Sequence, residues 1–171
     1  MAGIAEVLHM SIGGAKGLVD RGAFIDPDVL MGRPASPEVI QRLTSGGRLE
    51  HVDDLVDVIA GWSHDRIVRY GIEIGRLAED GSPLMGGAYG RPGGRVAVKR
   101  QRSWYRKPRL LLTQAGIADV LKVGKNVIMN AHSRGMIVDP VVEIGHRRFG
   151  WSPEDVIPWA RQSGYLRGKL S

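Results

Sequence analysis

The arrangement of apolar residues is most regular between residues 110 and 161, where it predicts several short elements in succession. A helix is predicted over 114–121, because its apolar positions recur at helical spacing and Thr113 can cap its start. A second helix is predicted from Lys125 to about Arg134. The two would close across a tight turn at 122–124 into a helix-turn-helix, a motif whose second helix can enter the DNA major groove.

The residues that follow predict a hairpin and a third helix. A strand at 141–144 leads to a basic hairpin tip at 145–150, and Trp151 begins the return. Ser152 then suits an N-cap and Pro153 the first position of another helix, whose first turn carries acidic residues. Helix, turn, helix, hairpin and helix are therefore expected in this order.

This C-terminal third of the chain resembles the winged helix-turn-helix of phage excisionases and AlpA-type regulators, within the MerR-like group. The resemblance is carried by the stretch LLTQAGIADVLKV and by the pattern W-x-x-x-D-V-x-x-W formed by Trp151, Asp155, Val156 and Trp159. Two residues depart from the family pattern: Lys122 stands in the turn where glycine is usual, and Pro158 is expected to kink or restart the last helix. The resemblance implies a transcriptional regulator or a recombination accessory factor of a phage or other mobile element.

The N-terminal part of the chain repeats this pattern. Residues 2–32 align without gaps on residues 115–145, and 12 of the 31 aligned positions are identical. Further on, Ser36-Pro37 is expected to correspond to Ser152-Pro153. The predicted fold is therefore mainly α with small β-hairpin wings, built from tandem duplicated winged helix-turn-helix domains.

The two copies differ at the positions that would read DNA. The outward positions of the second helix in the C-terminal copy are Lys125, Asn126, Met129, Asn130 and Ser133. Asparagine can bond an adenine edge, lysine can reach guanine or phosphate, and methionine can pack on a thymine methyl group. The aligned N-terminal positions are Ile12, Gly13, Lys16, Gly17 and Asp20. Because glycine offers no side chain to a base and aspartate repels phosphate, the first copy is predicted to serve in dimerisation or in binding a protein partner.

Four segments are predicted along the chain: a degenerate winged helix-turn-helix copy at 1–45, a helical extension at 46–80 that packs on or joins the first copy, a Gly/Pro-rich linker and basic arm at 81–109, and a DNA-binding winged helix-turn-helix at 110–171. Within the extension, 50–60 is predicted to be helical, and 64–77 to be a helix or a strand around 70–74. The extension would either cap the first copy's core or form a self-association surface.

Charge is divided unevenly between the two halves. Residues 1–80 hold 8 Lys/Arg and 13 Asp/Glu, a net charge of −5, whereas residues 81–171 hold 16 and 5, a net charge of +11. This asymmetry favours nucleic-acid binding by the basic half, with a merely solvated basic surface as the alternative. The arm at 91–109 carries eight Lys/Arg, no acid and the pair Trp104-Tyr105. It can follow phosphates or enter the minor groove, while its aromatic pair either stacks on a base or pins the arm to the domain.

Beyond the second helix, further DNA-binding residues are predicted in the turn, the hairpin tip and the arm. They are Lys122; His146, Arg147 and Arg148; and Arg91, Arg95, Lys99, Arg100, Arg102, Arg106, Lys107 and Arg109.

The composition favours neither an enzyme nor a membrane protein. There is no cysteine, no apolar run approaches the ~18 residues of a membrane span, and no phosphate-binding loop or metalloprotease motif occurs. The five histidines are scattered, and His132 is expected to face inward. His51 with Asp53, Asp54 and Asp57 could imitate an acidic nuclease centre but lies in the acidic half. We predict a cytoplasmic protein without catalytic residues, metal or cofactor.

Together these patterns predict a sequence-specific protein that binds double-stranded DNA, and the resemblance implies that it regulates transcription in a phage or other mobile element. One alternative is a recombination accessory or DNA-architectural factor. Another is an adaptor whose first copy recruits a protein partner. Residues 1–80 would then provide the surface for a homodimer or for that partner.

Overall fold

The computed structural model of the protein describes residues 1–84, 107–144 and 148–166. Within these ranges the protein is mixed α/β, with seven α-helices and two small sheets. The helices are α1 Ala2–Val7, α2 Ile12–Asp20, α3 Pro37–Thr44, α4 His64–Glu73, α5 Gln114–Leu121, α6 Lys125–Ser133 and α7 Pro153–Gln162. The strands are β1 Val29–Pro34, β2 Leu55–Gly61, β3 Arg109–Leu112, β4 Val142–Ile144 and β5 Arg148–Gly150. None of the described helices is both long and apolar enough to cross a membrane.

The chain folds into two compact units that are both discontinuous in sequence. Of the described residues, unit 1 contains 1–28, 62–84 and 107, and unit 2 contains 29–61, 108–144 and 148–166. These boundaries differ from the four predicted segments, because β1 and α3, expected in the first copy, pack with C-terminal residues. The physical reason is the central strand β1, which pairs with both β2 and β3.

Unit 1 is built from α1, α2 and α4 around an apolar core. Its buried residues include Ile4, Leu8, Ala15, Phe24, Ile67, Tyr70 and Leu77. Asp28 holds the start of α4, since its carboxylate accepts hydrogen bonds from the Ser63 backbone N–H at 2.7 Å and from Arg66 Nη1 at 2.8 Å. Burial by itself raises the pKa of Asp28, but these bonds outweigh it and hold the pKa below its ordinary value of 3.8. For residues 64–77, where the sequence predicts either a helix or a strand, the structure shows the helix α4.

Unit 2 contains a three-stranded sheet that was not predicted from the sequence. β1 lies in the middle, antiparallel to β2 and parallel to β3. The prediction of a helix over 50–60 is wrong, because a short 3₁₀ turn at Val52–Asp54 leads directly into β2. Apolar residues at 52, 55, 56 and 59 fit helical spacing, but β-branched residues favour a strand once β1 supplies a pairing edge.

A hairpin wing was predicted for the first copy as well, but Gly32, Arg33 and Pro34, at the end of the aligned segment, lie within β1 and not at a hairpin tip. A register shift separates the pairs Met31↔Ile59 and Arg33↔Val56. At this bulge Asp57 adopts a left-handed backbone conformation with φ of 53°. The bulge directs the Asp57 carboxylate toward Arg33, at 3.3 Å from its Nη1 atom.

Helix α5 rests on β1 through two glycines. The Gly32 carbonyl accepts a hydrogen bond from the Thr113 backbone N–H at 2.9 Å and from its hydroxyl at 3.2 Å. The same hydroxyl accepts a bond from the Gly116 N–H at 3.2 Å, which confirms Thr113 as the cap of α5. A Cβ atom added to Gly116 would lie 2.5 Å from the Gly32 oxygen, so this contact requires glycine.

The C-terminal elements follow the predicted order closely. Helix α5 has the predicted bounds, α6 ends one residue before the predicted position, and β4 pairs with β5 as a hairpin. A kink or a restart was predicted at Pro158, and of these the restart is wrong, because helix α7 runs through that residue. The loss of one backbone hydrogen bond at Pro158 is offset by burial of Val156, Ile157 and Ala160 in the unit 2 core.

Equivalent hydrogen bonds hold the last helix of each unit, which is α4 in unit 1 and α7 in unit 2. Trp62 Nε1 donates to the Ile25 carbonyl and Trp151 Nε1 to the Val138 carbonyl, each at 2.9 Å. The predicted alignment pairs Ile25 with Val138. In a second matched pair, the Tyr70 hydroxyl bonds the Ala23 carbonyl and Trp159 Nε1 bonds the Met136 carbonyl, again each at 2.9 Å and at aligned acceptors.

The helix in unit 1 that is bonded like α7 is therefore α4, beginning after Trp62-Ser63. The correspondence predicted from Ser36-Pro37 is wrong, because α3 belongs to unit 2 and packs on α5 and α7. In chain order, residues 29–61 therefore lie between α2 and α4, which is the position that the β4–β5 hairpin has between α6 and α7.

The turn between α1 and α2 also matches the turn between α5 and α6. His9 between α1 and α2 has φ of 47°, and Lys122 between α5 and α6 has φ of 54°. Their N–H groups bond back to aligned carbonyls, those of Glu6 and Asp119. Both turns therefore place a residue other than glycine in the left-handed region, at aligned positions.

Candidate nucleic-acid interface

Helix α6 presents one polar face to solvent. Ile128 and Ala131 are buried against the unit 2 core, which fixes the rotation of the helix about its axis. All five residues predicted on the outward face are exposed: Lys125, Asn126, Met129, Asn130 and Ser133. The face combines a cation, two amides and an apolar side chain, which is a combination able to contact base edges.

One of these polar side chains is already engaged within the helix. The Ser133 hydroxyl donates a hydrogen bond to the Asn130 carbonyl at 3.0 Å. Its oxygen can still accept a bond, but its proton is committed to the backbone. The two amides, Asn126 and Asn130, are therefore the stronger candidates for bidentate contacts.

Two exposed cations lie near the start of α6. Lys122 occupies the left-handed turn position, and Lys125 is the first residue of the helix. Within the described ranges, neither makes an ion pair. Their positive charge is not neutralised by a bonded carboxylate, so it is available to a phosphate.

The β4–β5 hairpin is packed against α6 through aromatic rings. The His132 ring lies 4.5 Å from that of Phe149 and 5.3 Å from that of Trp151, measured between centroids. His132 is half-buried, which confirms its predicted inward position. Arg148 at the start of β5 is exposed, whereas His146 and Arg147 of the predicted tip lie outside the described residues.

An open groove of about 530 Å³ joins α6 to the hairpin and to the three-stranded sheet. Lys125 and Arg148, predicted separately, both line it. Gln114 at the start of α5 and Arg33 on β1 line it as well, and neither was predicted from the sequence as a site residue. No local signal marks Arg33, because the pairing of β1 with β3 brings it there.

Arg33 is held in the groove by two carboxylates. Its Nε atom donates to Asp119 at 2.6 Å, and its Nη1 atom donates to Asp57 at 3.3 Å. The hydrogen bond and charge of Asp119 raise the pKa of Arg33 above its ordinary value. The guanidinium is therefore fixed in position and charged at every accessible pH.

The basic arm is only partly described. Lys107 and Arg109 are exposed at the end of the arm, and Arg109 begins β3 opposite Val29. The other predicted arm residues lie outside the described ranges: Arg91, Arg95, Lys99, Arg100, Arg102 and Arg106.

The outward face of α2 in unit 1 has a different chemical character. Ile12 is 59% exposed, and Lys16 forms an ion pair with Asp20 one turn later. Ser11 caps the helix by accepting a hydrogen bond from Gly14. This face combines an exposed apolar side chain with a neutralised cation, so it offers little attraction to phosphate.

Asp54, which could have belonged to an acidic nuclease centre, is buried and serves the fold. Its carboxylate pairs with Arg42 and accepts hydrogen bonds from the backbone N–H groups of Glu50 and His51. Burial raises the pKa of Asp54, but these bonds outweigh it and hold the pKa below its ordinary value. Among the residues with described positions, no three His, Asp or Glu side chains are grouped to hold a metal.

The chain matches no known protein family, no curated protein and no solved structure.

Proposed function

We propose that the protein binds double-stranded DNA, inserting α6 into the major groove and acting as a transcriptional regulator of a phage or other mobile element. The observation that carries the proposal is the exposed face of Lys125, Asn126, Met129 and Asn130 on a helix whose opposite side is buried. In this interpretation α5, α6, the β4–β5 hairpin and α7 form a winged helix-turn-helix.

Two kinds of contact would divide the work of binding. Asn126 and Asn130 would read adenine edges, and Met129 would pack on a thymine methyl group. Lys122, Lys125 and Arg148, with the cations of the 91–109 arm, would neutralise phosphates and supply affinity that does not depend on sequence. His146 and Arg147 would extend the hairpin contact to the backbone or minor groove.

We further infer that the two units descend from one duplicated motif. The aligned Trp62 and Trp151 bonds and the left-handed His9 and Lys122 turns support a common ancestor. In this interpretation the segment 29–61 replaced the hairpin of the first copy and became part of unit 2. The first copy would have kept its three helices and lost the side chains that read bases.

Fluorescence anisotropy of the full chain with duplex DNA tests the proposal. Lys125→Ala and Arg148→Ala should each weaken binding to random-sequence duplex and lower the salt dependence by about 0.9 in log–log slope. Arg48→Ala is the matched control, since Arg48 is an exposed arginine of the same unit, on the loop between α3 and β2. If the wild-type chain does not bind duplex at low salt, or if all three variants behave alike, the proposal fails.

A second candidate function is recruitment of a protein partner by unit 1. The exposed Ile12 borders an apolar groove also lined by Ala2, Ala5, His9 and Met10. In that case Ile12→Asp would abolish partner binding but leave duplex binding unchanged.

DNA bending by the wild-type chain at adjacent sites would instead favour a recombination or architectural role.

A further inference from the structure

Arg33 reaches the candidate interface from outside the helix-turn-helix. It lies on β1, which belongs to the 29–61 segment, yet it lines the same groove as Lys125 and Arg148. Three cations therefore converge on one groove from three separate elements: β1, α6 and β5. Gln114 adds an amide from the start of α5.

The bonds to Arg33 leave part of its hydrogen-bonding capacity unused. A guanidinium has five N–H donors in a planar fork, and the two carboxylates engage Nε and Nη1. The side chain is 45% exposed, and among the described residues its Nη2 atom makes no hydrogen bond. Asp119 binds at Nε, and the Nη1 and Nη2 groups at the end of the plane can bind a phosphate in two places once Asp57 leaves Nη1.

We propose that Arg33 binds a backbone phosphate of duplex DNA beside Lys125 and Arg148, with Asp119 as the residue that positions it. The inference rests on the proposed function and adds to it a contact made by the 29–61 segment. Asp119 is the tighter partner, at 2.6 Å from Nε, and holds the guanidinium in place at that atom. Asp57, at 3.3 Å and with a side chain 71% exposed, is the partner that a phosphate would displace.

The two acids consequently have opposite effects on DNA binding. Asp57 places a negative charge where the phosphate would lie, so its removal should strengthen binding. Asp119 is not among the residues that line the groove and holds the guanidinium at Nε, so its removal should weaken binding although it also removes a negative charge. A simple charge effect would strengthen binding in both variants.

The experiment measures binding of the full chain to a short random-sequence duplex over a range of salt concentrations. Arg33→Ala should weaken binding several-fold at low salt and lower the log–log slope by about 0.9, the value for one phosphate contact. Asp57→Asn should bind several-fold more tightly and Asp119→Asn several-fold more weakly. Arg33→Lys should restore the slope in part, because it keeps the charge without the planar fork.

Arg48→Ala is the control for loss of one positive charge, and the thermal midpoint of every variant is measured in parallel. If Arg33→Ala lowers the midpoint but leaves the slope at the wild-type value, Arg33 is only a tie between β1 and α5 and the inference is overturned. Equal strengthening by Asp57→Asn and Asp119→Asn would overturn the role of Asp119. These failures differ from failure of the proposed function, in which Lys125→Ala and Arg148→Ala would also bind like the control.

Discussion

An alanine Cβ at position 116 would lie only 2.5 Å from the carbonyl oxygen of Gly32, so Gly116 and Gly32 set the distance between α5 and β1. The aligned residue in unit 1, Gly3, has no neighbouring atom within 4 Å of the same Cβ position. Both glycines lie in an identical Ala-Gly-Ile-Ala sequence. The same residue in the same local sequence is thus required in one unit and unnecessary in the other.

The two glycines should respond to alanine with opposite signs. Gly116→Ala should lower the free energy of unfolding by about 1–3 kcal/mol, because a backbone oxygen cannot move aside without displacing β1. Gly3→Ala should raise it by up to about 1 kcal/mol, since alanine is the better helix former. Urea denaturation measures both variants, and destabilisation by Gly3→Ala would show that the α1 surface is covered by something other than solvent.

Replacing Lys122 by glycine should stabilise unit 2. A residue with a side chain in the left-handed region costs about 1 kcal/mol relative to glycine, and Lys122 has φ of 54°. His9→Gly is the matched variant for unit 1. Hydrogen exchange measured in α5 and α6 and in α1 and α2 shows in which unit each variant gains stability. Unchanged exchange in both variants would mean that these turns carry no strain.

Asn130→Ala should reduce specific binding far more than general binding. If Asn130 bonds an adenine edge, the variant should lose about 1–3 kcal/mol on the cognate site and little on random duplex. The cognate site would first be selected from a random duplex library. Gln162→Ala removes an exposed amide from α7 and serves as the control. An equal loss of affinity on both duplexes would place α6 outside the major groove.

The arm should supply several of the phosphate contacts. Neutralising Lys99, Arg100, Arg102 and Arg106 should lower the salt dependence by up to about 3–4 in log–log slope. The triple variant Arg21, Arg48 and Arg69 to alanine removes exposed cations from residues 1–80 and should leave the slope unchanged. If the arm variant also keeps the wild-type slope, the arm does not reach phosphate.

Asp54 should make unit 2 sensitive to acid. Because its pKa in the folded protein lies below the ordinary value of 3.8, the stability it contributes is present above that value and is lost as the pH falls through the lowered pKa. Asp54→Asn should therefore cost on the order of 1–2 kcal/mol at neutral pH and flatten the loss of stability below about pH 4. Thermal midpoints measured across this range would detect the change.

Asp28→Asn provides the matched test in unit 1, because the pKa of Asp28 is lowered in the same direction. Hydrogen exchange at neutral pH should show lower protection in unit 1 for Asp28→Asn and in unit 2 for Asp54→Asn, and the further loss of protection at acid pH should be smaller in that unit than in the wild type. An acid transition that is identical in wild type and both variants would assign the acid sensitivity to other carboxylates.

The sequence predicted best where structure is decided locally. Thr113 identified the start of α5, and the buried positions of α6 followed from its apolar spacing. Lys125 and Asn130 could thus be placed on an exposed face without knowledge of the rest of the fold. Helix caps and helical periodicity depend on residues within a few positions of one another.

The sequence failed where distant segments decide the structure. Residues 55–61 become a strand because β1 offers a pairing edge, and nothing within those residues distinguishes that outcome from a helix. The correspondence of Trp62 with Trp151 could not be predicted, because residues 29–61 separate Trp62 in sequence from α1 and α2, the other helices of unit 1. Arg33 was missed for the same reason, since its place in the groove depends on the pairing of β1 with β3.

The parallel pair of β1 and β3 has a consequence for how the protein is made. β1 emerges early in synthesis, but its second pairing edge arrives only with residues 109–112, after all of unit 1. We therefore expect one edge of β1 to remain unpaired in the nascent chain until residues 109–112 have been synthesised. A truncated chain beginning after residue 61 would lack β1 altogether and would leave β3 and Gly116 facing water.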